Sequence, residues 1–532
     1  MRHISIWVCI TLLFSCNPGD QPAAPPVEER DTTITVENAY SELFLDSLSL
    51  EHFVSAHTFN ETFANQFRSF YNTRNYQYAW FVPDGLTEQA LNFLNRQSDY
   101  ISYSKDSSLQ NPLLKPLLDT VSQGVTKFRI SDSDRLNAEL MLTAQFFRFA
   151  EKAFAGDTSL DVSSLKWYIP RKKIDVVAAL DSLMKGSGEA YEPLNAYYKR
   201  LKAALIQYYQ VEKLGGWRPV KLEKKSMRQG DTATVITEIK KRLSYTGDFT
   251  LQDSSSLFTD SLTEAVKRFQ YRYGLTTDGV IGESMVKELN KPVEQRIRQM
   301  LINLERMRWV PEDIRGDYLL VNIPEFKLHI FENAVPIRHM DVVVGSGQHN
   351  TVIFSGDLKY VVFSPYWNVP ASIVKNEIMP GIQRNPGYIK AHNMEITGYA
   401  GNIPVVRQKP GPNNSLGRVK FLFPNNYNIY MHDTPARSLF GETRRAFSHG
   451  CIRLAEPEWL ARFLLRNDST WTQDAIRKAM LGNKERTVTL KQPIPVFIGY
   501  FTAWVDSKGQ LNFRNDVYGH DAKMEKLMFK GE

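Results

Sequence analysis

Two histidines, one cysteine and one arginine lie close together in the last quarter of the chain, in Tyr430-Met431-His432-Asp433 and Ser448-His449-Gly450-Cys451-Ile452-Arg453. A thiolate is a strong nucleophile, and a neighbouring imidazole or helix start lowers a cysteine pKa to roughly 3.5–7.5. The residue types therefore predict a Cys–His pair that attacks a carbonyl group and forms a thioester. Backbone N–H groups near Gly450 and Cys451 are candidates to hold the oxyanion.

Local sequence patterns predict the elements that position this pair. Residues 427–431 are mostly apolar and predict a strand that ends at His432. Gly450 indicates a tight loop, because glycine adopts backbone angles that other residues avoid. Pro457 and its flanking acids predict the start of a helix. Cys451 is therefore expected on a loop between a strand layer and a helix; the alternative is a buried, inert cysteine beside surface histidines.

His432 followed by Ser448-His449-Gly450-Cys451-Ile452-Arg453 resembles the signature of the L,D-transpeptidase family, which crosslinks peptidoglycan through a cysteine. The resemblance implies that Cys451 is the nucleophile and that His432 is the general base. It also implies that a backbone carbonyl next to His432, such as that of Asp433, orients the imidazole.

The same resemblance implies a set of substrate-binding and loop-shaping residues. For His449, a role in supporting the loop is favoured over proton transfer. Arg453 either binds a substrate carboxylate or braces the loop. Trp367 belongs to a Trp-x-Val-Pro stretch that family members carry beside the substrate groove. In the preceding loop, Asn350-Thr351-Val352 replaces the usual Thr-Pro. The predicted substrate-binding and oxyanion residues are Gly450, His449, Ser448, Arg453, Tyr430, Asp433 and Trp367.

Length and charge bound the remaining possibilities. A chain of 532 residues predicts several domains, and a net charge of +7 gives no case for nucleic-acid binding. Outside the motif, no His, Cys, Asp or Glu cluster shows metal-ligand spacing. We therefore predict neither a metal nor a cofactor.

The first residues predict export. Arg2 and His3 precede an apolar run over residues 4–14, which is too short to span a membrane and is typical of a signal peptide. Leu13-Phe14-Ser15-Cys16 resembles a bacterial lipobox, which implies that Cys16 carries lipid; the alternative is an ordinary cleaved signal. Cys9 would leave with the signal, so Cys451 would be the sole free thiol.

The chain is predicted to be an α+β multidomain protein with a helical scaffold domain, a three-helix peptidoglycan-binding module and a β-rich catalytic domain. Tyr78-Ala79-Trp80 and Gly215-Gly216-Trp217 resemble the scaffold, while Phe269-Gln270 and Asp278-Gly279 resemble the module, whose alternative is a spacer without wall affinity. The predicted segments are a signal peptide (1–15), a tether (16–35), the scaffold (36–226), the module (227–291), a linking helix (292–315), the catalytic domain (316–505) with a capping insertion (371–415), and a C-terminal hairpin and tail (506–532).

Three further expectations concern the catalytic domain. The insertion is long and rich in proline, which favours a lid that becomes ordered when the donor binds. Residues 495–504 and 511–513 predict a closing strand pair. His520 is expected on the surface.

The family resemblance implies a lipoprotein of the bacterial cell envelope that faces the periplasm and acts on peptidoglycan stem peptides. A tetrapeptide donor would lose D-Ala, and the amine of a second stem would resolve the thioester to give a 3→3 crosslink. Water as the acceptor would make the protein an L,D-carboxypeptidase, and an envelope protein is another possible acceptor. A wall-binding lipoprotein without catalysis is the alternative from a different class.

Overall fold

The computed structural model describes residues 24–122, 128–186, 192–250, 253–312 and 314–529. The predicted signal peptide and Cys16 lie outside these ranges. The chain divides into two compact units. Unit 1 contains residues up to Ala153 together with Ile174–Glu192, and unit 2 contains Phe154–Lys173 and Pro193–Glu532.

Unit 1 is mainly helical, as predicted. Several of its helices begin at an Asp, Asn, Thr or Ser side chain that accepts a hydrogen bond from a backbone N–H of the first turn, as at Asn60 and Thr87. The elements are α1 (Ser47–Ala56), α2 (Glu61–Asn72), β1 (Phe81–Val82), β2 (Gly85–Leu86), α3 (Glu88–Ser104), α4 (Lys115–Ser122), α5 (Asp132–Ala150) and α6 (Val176–Met184).

A buried carboxylate fixes the Tyr78-Ala79-Trp80 stretch. Glu139 on α5 accepts hydrogen bonds from the backbone N–H groups of Ala79 (2.6 Å) and Trp80 (2.9 Å) and from the Tyr71 hydroxyl (3.0 Å). Burial raises the pKa of Glu139 to about 7, although these donors act in the opposite direction.

The described part of the predicted tether contacts α2. Ser69 Oγ accepts a hydrogen bond from the Glu28 N–H at 3.0 Å, and Asn65 donates to the Pro25 carbonyl at 3.0 Å. Residues 24–35 are therefore attached to unit 1 at these points and are not a free spacer over their whole length.

The helical part of unit 2 comprises α7 (Ala196–Lys213), α8 (Thr234–Tyr245), α9 (Asp260–Arg272), α10 (Glu283–Leu289) and α11 (Val293–Trp309). The predicted peptidoglycan-binding module contains α8, α9 and α10. In this module the Gln270 side chain joins the Phe269-Gln270 and Asp278-Gly279 motifs. It donates to Asp278 Oδ1 (2.7 Å) and accepts from the Gly279 N–H (2.9 Å). The predicted linking helix (292–315) contains α11, which ends at Trp309, six residues before the predicted bound.

A nine-stranded sheet of the described residues forms the centre of unit 2, with the strand order β12-β5-β13-β11-β10-β6-β14-β3-β4. A further pairing of β4 with β5 closes the sheet on itself. Its strands are β3 (Tyr318–Asn322), β4 (Lys327–Glu332), β5 (Val335–Gly345), β6 (Phe354–Phe363), β10 (Val419–Leu422), β11 (Met431–His432), β12 (Ala446–Ser448), β13 (Ile452–Leu454) and β14 (Arg486–Gly499). Helices α15 (Pro457–Leu464) and α16 (Gln473–Met480) pack on its core.

The insertion between β6 and β10 is folded in its own right. A small core of Val369, Ile373, Val374, Ile378 and Val406 holds it together. The structure thus differs from the expectation of a segment that orders only on binding, because these apolar side chains already bury one another. Its elements are β7 (Trp367–Asn368), α12 (Ala371–Ile373), a π-helical turn (Val374–Ile378), α13 (Met379–Arg384), α14 (Tyr388–Ala391), β8 (Met394–Ala400) and β9 (Ile403–Gln408).

The last segment corrects two expectations. Only β15 (Ala503–Val505) pairs with β16 (Leu511–Phe513), because the residues up to Gly499 continue β14 in the large sheet. His520 is buried and not on the surface, since it begins α17 (His520–Met528) and packs edge-on against Tyr500.

Candidate functional site

Two short parallel strands bring the motif residues together. Met431 lies opposite Ile452 and His432 lies opposite Arg453, so the residues preceding each strand, Tyr430 and Cys451, are also neighbours. Side chains two positions apart on a strand share a face. His432 and Arg453 therefore lie on one face with Tyr430 and Cys451, while Met431 and Ile452 enter the core.

The segment before β11 is a loop and not the predicted strand. Asn425 Oδ1 accepts hydrogen bonds from the N–H groups of Tyr427 (3.0 Å) and Ile429 (3.2 Å). Asn428 adopts a left-handed conformation (φ 55°), which a strand does not permit. The apolar pattern of residues 427–431 was misleading because side-chain hydrogen bonds, which hydropathy does not report, hold the turn.

The thiol of Cys451 is half-buried and lies under this loop. Its Sγ donates to the Asn428 carbonyl at 3.6 Å, and Tyr430 is close enough to act on the pKa of the thiol. Burial raises the pKa of the Cys451 thiol, and neither Tyr430 nor the charge of Arg453 overcomes that effect. The expectation of a lowered cysteine pKa is therefore wrong for the free protein.

His432 is buried and uncharged at neutral pH. Burial, aided by the charges of Arg453 and Lys420, lowers the pKa of its imidazole to about 3. Nδ1 lies 2.5 Å from the Asp433 carbonyl, so Nδ1 carries the proton and Nε2 has the free lone pair. The contact expected between His432 and the neighbouring carbonyl is thus present. Among the described residues, His432 and Cys451 share no direct hydrogen bond, because the thiol donates to the Asn428 carbonyl instead.

Asp433 is held so that its carbonyl faces the imidazole. Its carboxylate accepts from the N–H groups of Arg418 (2.8 Å) and Thr434 (2.7 Å) and pairs with Arg437 (2.6 Å). Gly417 has φ +63° and makes room for this carboxylate, because a Cβ there would lie 2.4 Å from Asp433 Cγ.

Replacing Gly417 by alanine should destabilise the protein by roughly 2–4 kcal/mol, from left-handed backbone strain and overpacking against Asp433. The acylation rate should fall with it, since the Asp433 carbonyl would move away from His432. Thermal unfolding and acylation kinetics measure both effects. Gly401→Ala is the control, because Gly401 has φ +60° but no neighbour within 4 Å of its Cβ position; equal losses in the two variants would contradict the argument.

The cysteine loop is braced from two directions. Ser448 Oγ donates to the Cys451 carbonyl (2.5 Å) and accepts from the Gly450 N–H (3.2 Å). Thr351 Oγ1 donates to the Gly450 carbonyl (2.8 Å) and accepts from the Gly345 N–H (2.9 Å). Thr351, in the stretch that departs from the family pattern, therefore supports the loop directly.

A row of cations crosses the site. His432 on β11 has Lys420 of β10 opposite it on one side and Arg453 of β13 opposite it on the other. Lys420 has a distant partner in Glu485 (3.8 Å). Arg453 makes no ion pair within the described residues, and its buried Nε has no hydrogen-bond partner there. The site therefore presents an unneutralised guanidinium beside the thiol and the imidazole.

The remaining motif residues face the insertion. His449 Nε2 lies 3.3 Å from Glu377 Oε1 of the π-helical turn, and the His449 ring packs on that of His349 (centroids 5.0 Å apart). Trp367 packs against the small core of the insertion. These contacts connect the cysteine loop to the insertion.

The raised thiol pKa predicts slow alkylation at neutral pH. Because little thiolate is present, iodoacetamide should modify Cys451 more slowly than it modifies a small unhindered thiol at pH 7. The rate should rise about tenfold per pH unit and should not level off below pH 9. Mass spectrometry across a pH series measures it, with glutathione in the same tube as a reference; a plateau below pH 7 would show a thiolate–imidazolium pair instead.

Neither a metal site nor a membrane-crossing helix is found in the part of the chain that the structure describes. No group of three or more His, Cys, Asp or Glu side chains there could hold a metal ion. No helix in the same ranges has both the length and the apolar content that a membrane crossing requires.

Comparison with known families finds three matches along the chain. Residues 316–498 match the L,D-transpeptidase catalytic domain, residues 65–205 match the scaffold domain, and residues 232–289 match the family described as "Putative peptidoglycan binding domain".

A relative from Haemophilus influenzae, named "Putative L,D-transpeptidase", is 32% identical over 248 residues. The match covers 43% of this chain and 50% of the relative, so the chain spans about half the length of that protein. Among solved structures, an L,D-transpeptidase from Xylanimonas cellulosilytica is 13% identical and covers 52% of this chain and 100% of its own (TM-score 0.18). One from Stackebrandtia nassauensis is 13% identical and covers 53% and 98%, respectively (TM-score 0.21).

Proposed function

We propose that this chain, which belongs to the L,D-transpeptidase family through its catalytic domain at residues 316–498, is an acyltransferase that works through a Cys451 thioester. The observation that carries the proposal is the fixed tautomer of His432. With Nδ1 held by the Asp433 carbonyl, Nε2 is a neutral base on the same face as the thiol.

The first step transfers one proton and forms one bond. Rotation of the Cys451 side chain takes the thiol from the Asn428 carbonyl to Nε2 of His432, which accepts the proton as sulfur attacks the donor carbonyl. The tetrahedral intermediate collapses with cleavage of the C–N bond. His432 gives its proton to the departing amine of D-Ala, and a thioester remains on Cys451.

The second step regenerates the thiol. The amine of a second stem peptide attacks the thioester carbonyl, and His432 accepts a proton from that amine. The C–S bond then breaks, and the proton returns to sulfur. A 3→3 peptide crosslink is the product, with the acceptor amine supplied by the third residue of the second stem.

The oxyanion needs donors that are not already paired. The Gly450 N–H is paired with Ser448 Oγ, which leaves the Cys451 N–H and the Tyr430 hydroxyl as donors. Burial raises the pKa of Tyr430, so its hydroxyl stays protonated and able to donate. Arg453 is the counter-charge for a carboxylate of the donor, since it has no anionic partner within the described residues.

The insertion is the cap of this site. It is folded without substrate, so its action is that of a rigid lid and not of a segment that orders on binding. The contact between Glu377 and His449 ties it to the cysteine loop. Trp367 lies in β7, the first strand of the insertion. A hinge at this strand would move the insertion relative to the substrate groove.

The same proposal places the protein in the bacterial cell envelope, facing the periplasm, with the residues matching a peptidoglycan-binding domain (232–289) positioning it on the wall. Cys16 is the lipid attachment site. Cys16→Ser should release the protein from the membrane fraction, with Cys9→Ser as the matched control; retention of Cys16→Ser in that fraction would contradict lipidation.

Analysis of muropeptides with defined tetrapeptide donors tests the reaction. We expect crosslinked dimers together with free D-Ala, and Cys451→Ala should form neither. Tripeptides without dimers would instead establish an L,D-carboxypeptidase. No turnover and no carbapenem adduct would favour a wall-binding lipoprotein without catalysis.

A further inference from the structure

Two exposed tyrosines from distant parts of the chain form an aromatic surface at the loop that contacts the thiol. The rings of Tyr168 and Tyr427 lie 5.2 Å apart at an interplanar angle of 31°. Tyr168 is 43% exposed and Tyr427 is 38% exposed, whereas Tyr500 of the same domain is buried in the core. We call Tyr168 and Tyr427 the tyrosine pair.

The tyrosine pair rests on a rigid base. Tyr427 packs on Phe354 (ring centroids 4.9 Å apart), which packs on Phe423 (5.8 Å), and both phenylalanines are buried in the core of unit 2. Tyr168 is fixed by its N–H, which donates to the Ile353 carbonyl at 2.8 Å. Trp167, one residue earlier, points inward against Trp309, so the alternation of the backbone turns Tyr168 outward.

The position of the pair connects it to the catalytic site. Tyr427 directly precedes Asn428, whose carbonyl accepts the Cys451 thiol hydrogen. Asn425 fixes the loop between them through hydrogen bonds to the Tyr427 and Ile429 N–H groups. Neither tyrosine hydroxyl has a hydrogen-bond partner within the described residues. The pair thus offers two ring faces and two free hydroxyls, and Tyr427 is one residue from Asn428, which contacts the thiol.

We propose that the tyrosine pair is a subsite for the glycan part of peptidoglycan, next to the stem peptide held at Cys451. The inference rests on the proposed function, because it assigns a further part of the same substrate. An aromatic face carries partial negative charge and attracts the polarised C–H groups of a sugar ring, while the tyrosine hydroxyls can bond the sugar hydroxyls. The stem peptides carry carboxylates, which suit the cationic row at Lys420 and Arg453 instead.

Binding of matched ligands tests the subsite without turnover. The full chain carrying Cys451→Ala is titrated by calorimetry with a disaccharide-tetrapeptide and with the free tetrapeptide. We expect Tyr168→Ala to raise the Kd of the disaccharide-tetrapeptide by about 3–10-fold. The Kd of the free tetrapeptide should not change, and Tyr168→Phe should keep most of the affinity. Tyr427→Ala, which removes the other ring of the pair, should also raise the Kd of the disaccharide-tetrapeptide.

The controls separate the subsite from loop damage and from the chemistry. Leu481→Ala removes a still more exposed apolar side chain of the same domain, and it should leave both Kd values unchanged. Unchanged disaccharide binding in Tyr168→Ala and Tyr427→Ala, or equal loss for both ligands, would overturn the subsite. Failure of the proposed acyl transfer is distinguishable, because it would appear as a missing carbapenem adduct on the enzyme with an intact Cys451, whatever the calorimetry gives.

Discussion

Cys451→Ala should abolish covalent capture of a carbapenem and lower the rate of stem transfer by roughly 10⁶-fold, the loss typical of removing a catalytic nucleophile. Within the described residues Cys451 is the free cysteine, and it lies half-buried beside a neutral base. No other side chain on this face of the sheet can form a thioester. Intact-protein mass spectrometry after incubation with a carbapenem measures the adduct directly.

The alanine variant should fold normally, since the hydrogen bond of the thiol to the Asn428 carbonyl is long and weak (3.6 Å). Its thermal unfolding midpoint should stay close to that of the parent protein. Cys451→Ser is the matched variant: it keeps a donor for Asn428 but presents a hydroxyl that neutral His432 deprotonates poorly. An adduct on the alanine variant would show that the nucleophile lies elsewhere and would remove the basis of the mechanism.

The protonation states in the structure change the mechanism that the sequence suggested. The motif predicted a thiolate stabilised by a nearby histidine, as a Cys–His pair in open solution would give. Burial acts on both groups in the direction of the neutral forms, because it penalises every charge. The thiol pKa therefore rises and that of His432 falls to about 3. Sequence motifs name reacting atoms, but burial decides which of them carries the proton before substrate arrives.

Sequence was a good guide wherever chemistry or periodicity was local. The Ser-His-Gly-Cys motif identified the cysteine loop, and Pro457 with its flanking acids gave the start of α15. The position of the Asp433 carbonyl followed from its adjacency to His432. These features depend on neighbouring residues alone, which is why a single sequence sufficed.

Contacts between distant residues could not be predicted in the same way. Gly417 matters because Asp433, sixteen positions later, fills the space above it. Thr351 reaches Gly450 across 99 positions. In the sequence, Tyr168 lies between the two segments of unit 1, yet its N–H donates to the Ile353 carbonyl next to the β-bridge between Trp167 and Ile353. No periodicity marks any of these residues, so only the folded chain identifies them.

His432→Gln should lower the acylation rate at pH 7 by about 10²–10⁴-fold, the usual contribution of a general base. Glutamine keeps a donor toward the Asp433 carbonyl but has no basic nitrogen for the thiol proton. Because the imidazole pKa is about 3, His432 is already neutral at pH 5, and the parent rate should change little between pH 5 and 8 on account of this group. Stopped-flow acylation by a carbapenem across this range measures both proteins.

The variant should show a different pH profile, which separates loss of a base from loss of structure. Without His432 the reaction depends on the thiolate fraction, which rises about tenfold per pH unit below the raised thiol pKa. The variant should therefore approach the parent rate as pH increases. His339→Gln, an exposed histidine on β5 of the same sheet, should leave the profile unchanged. If the parent protein instead gained activity steeply between pH 6 and 7, an imidazole with an ordinary pKa would be the base, and the buried neutral state of His432 would not be the one that reacts.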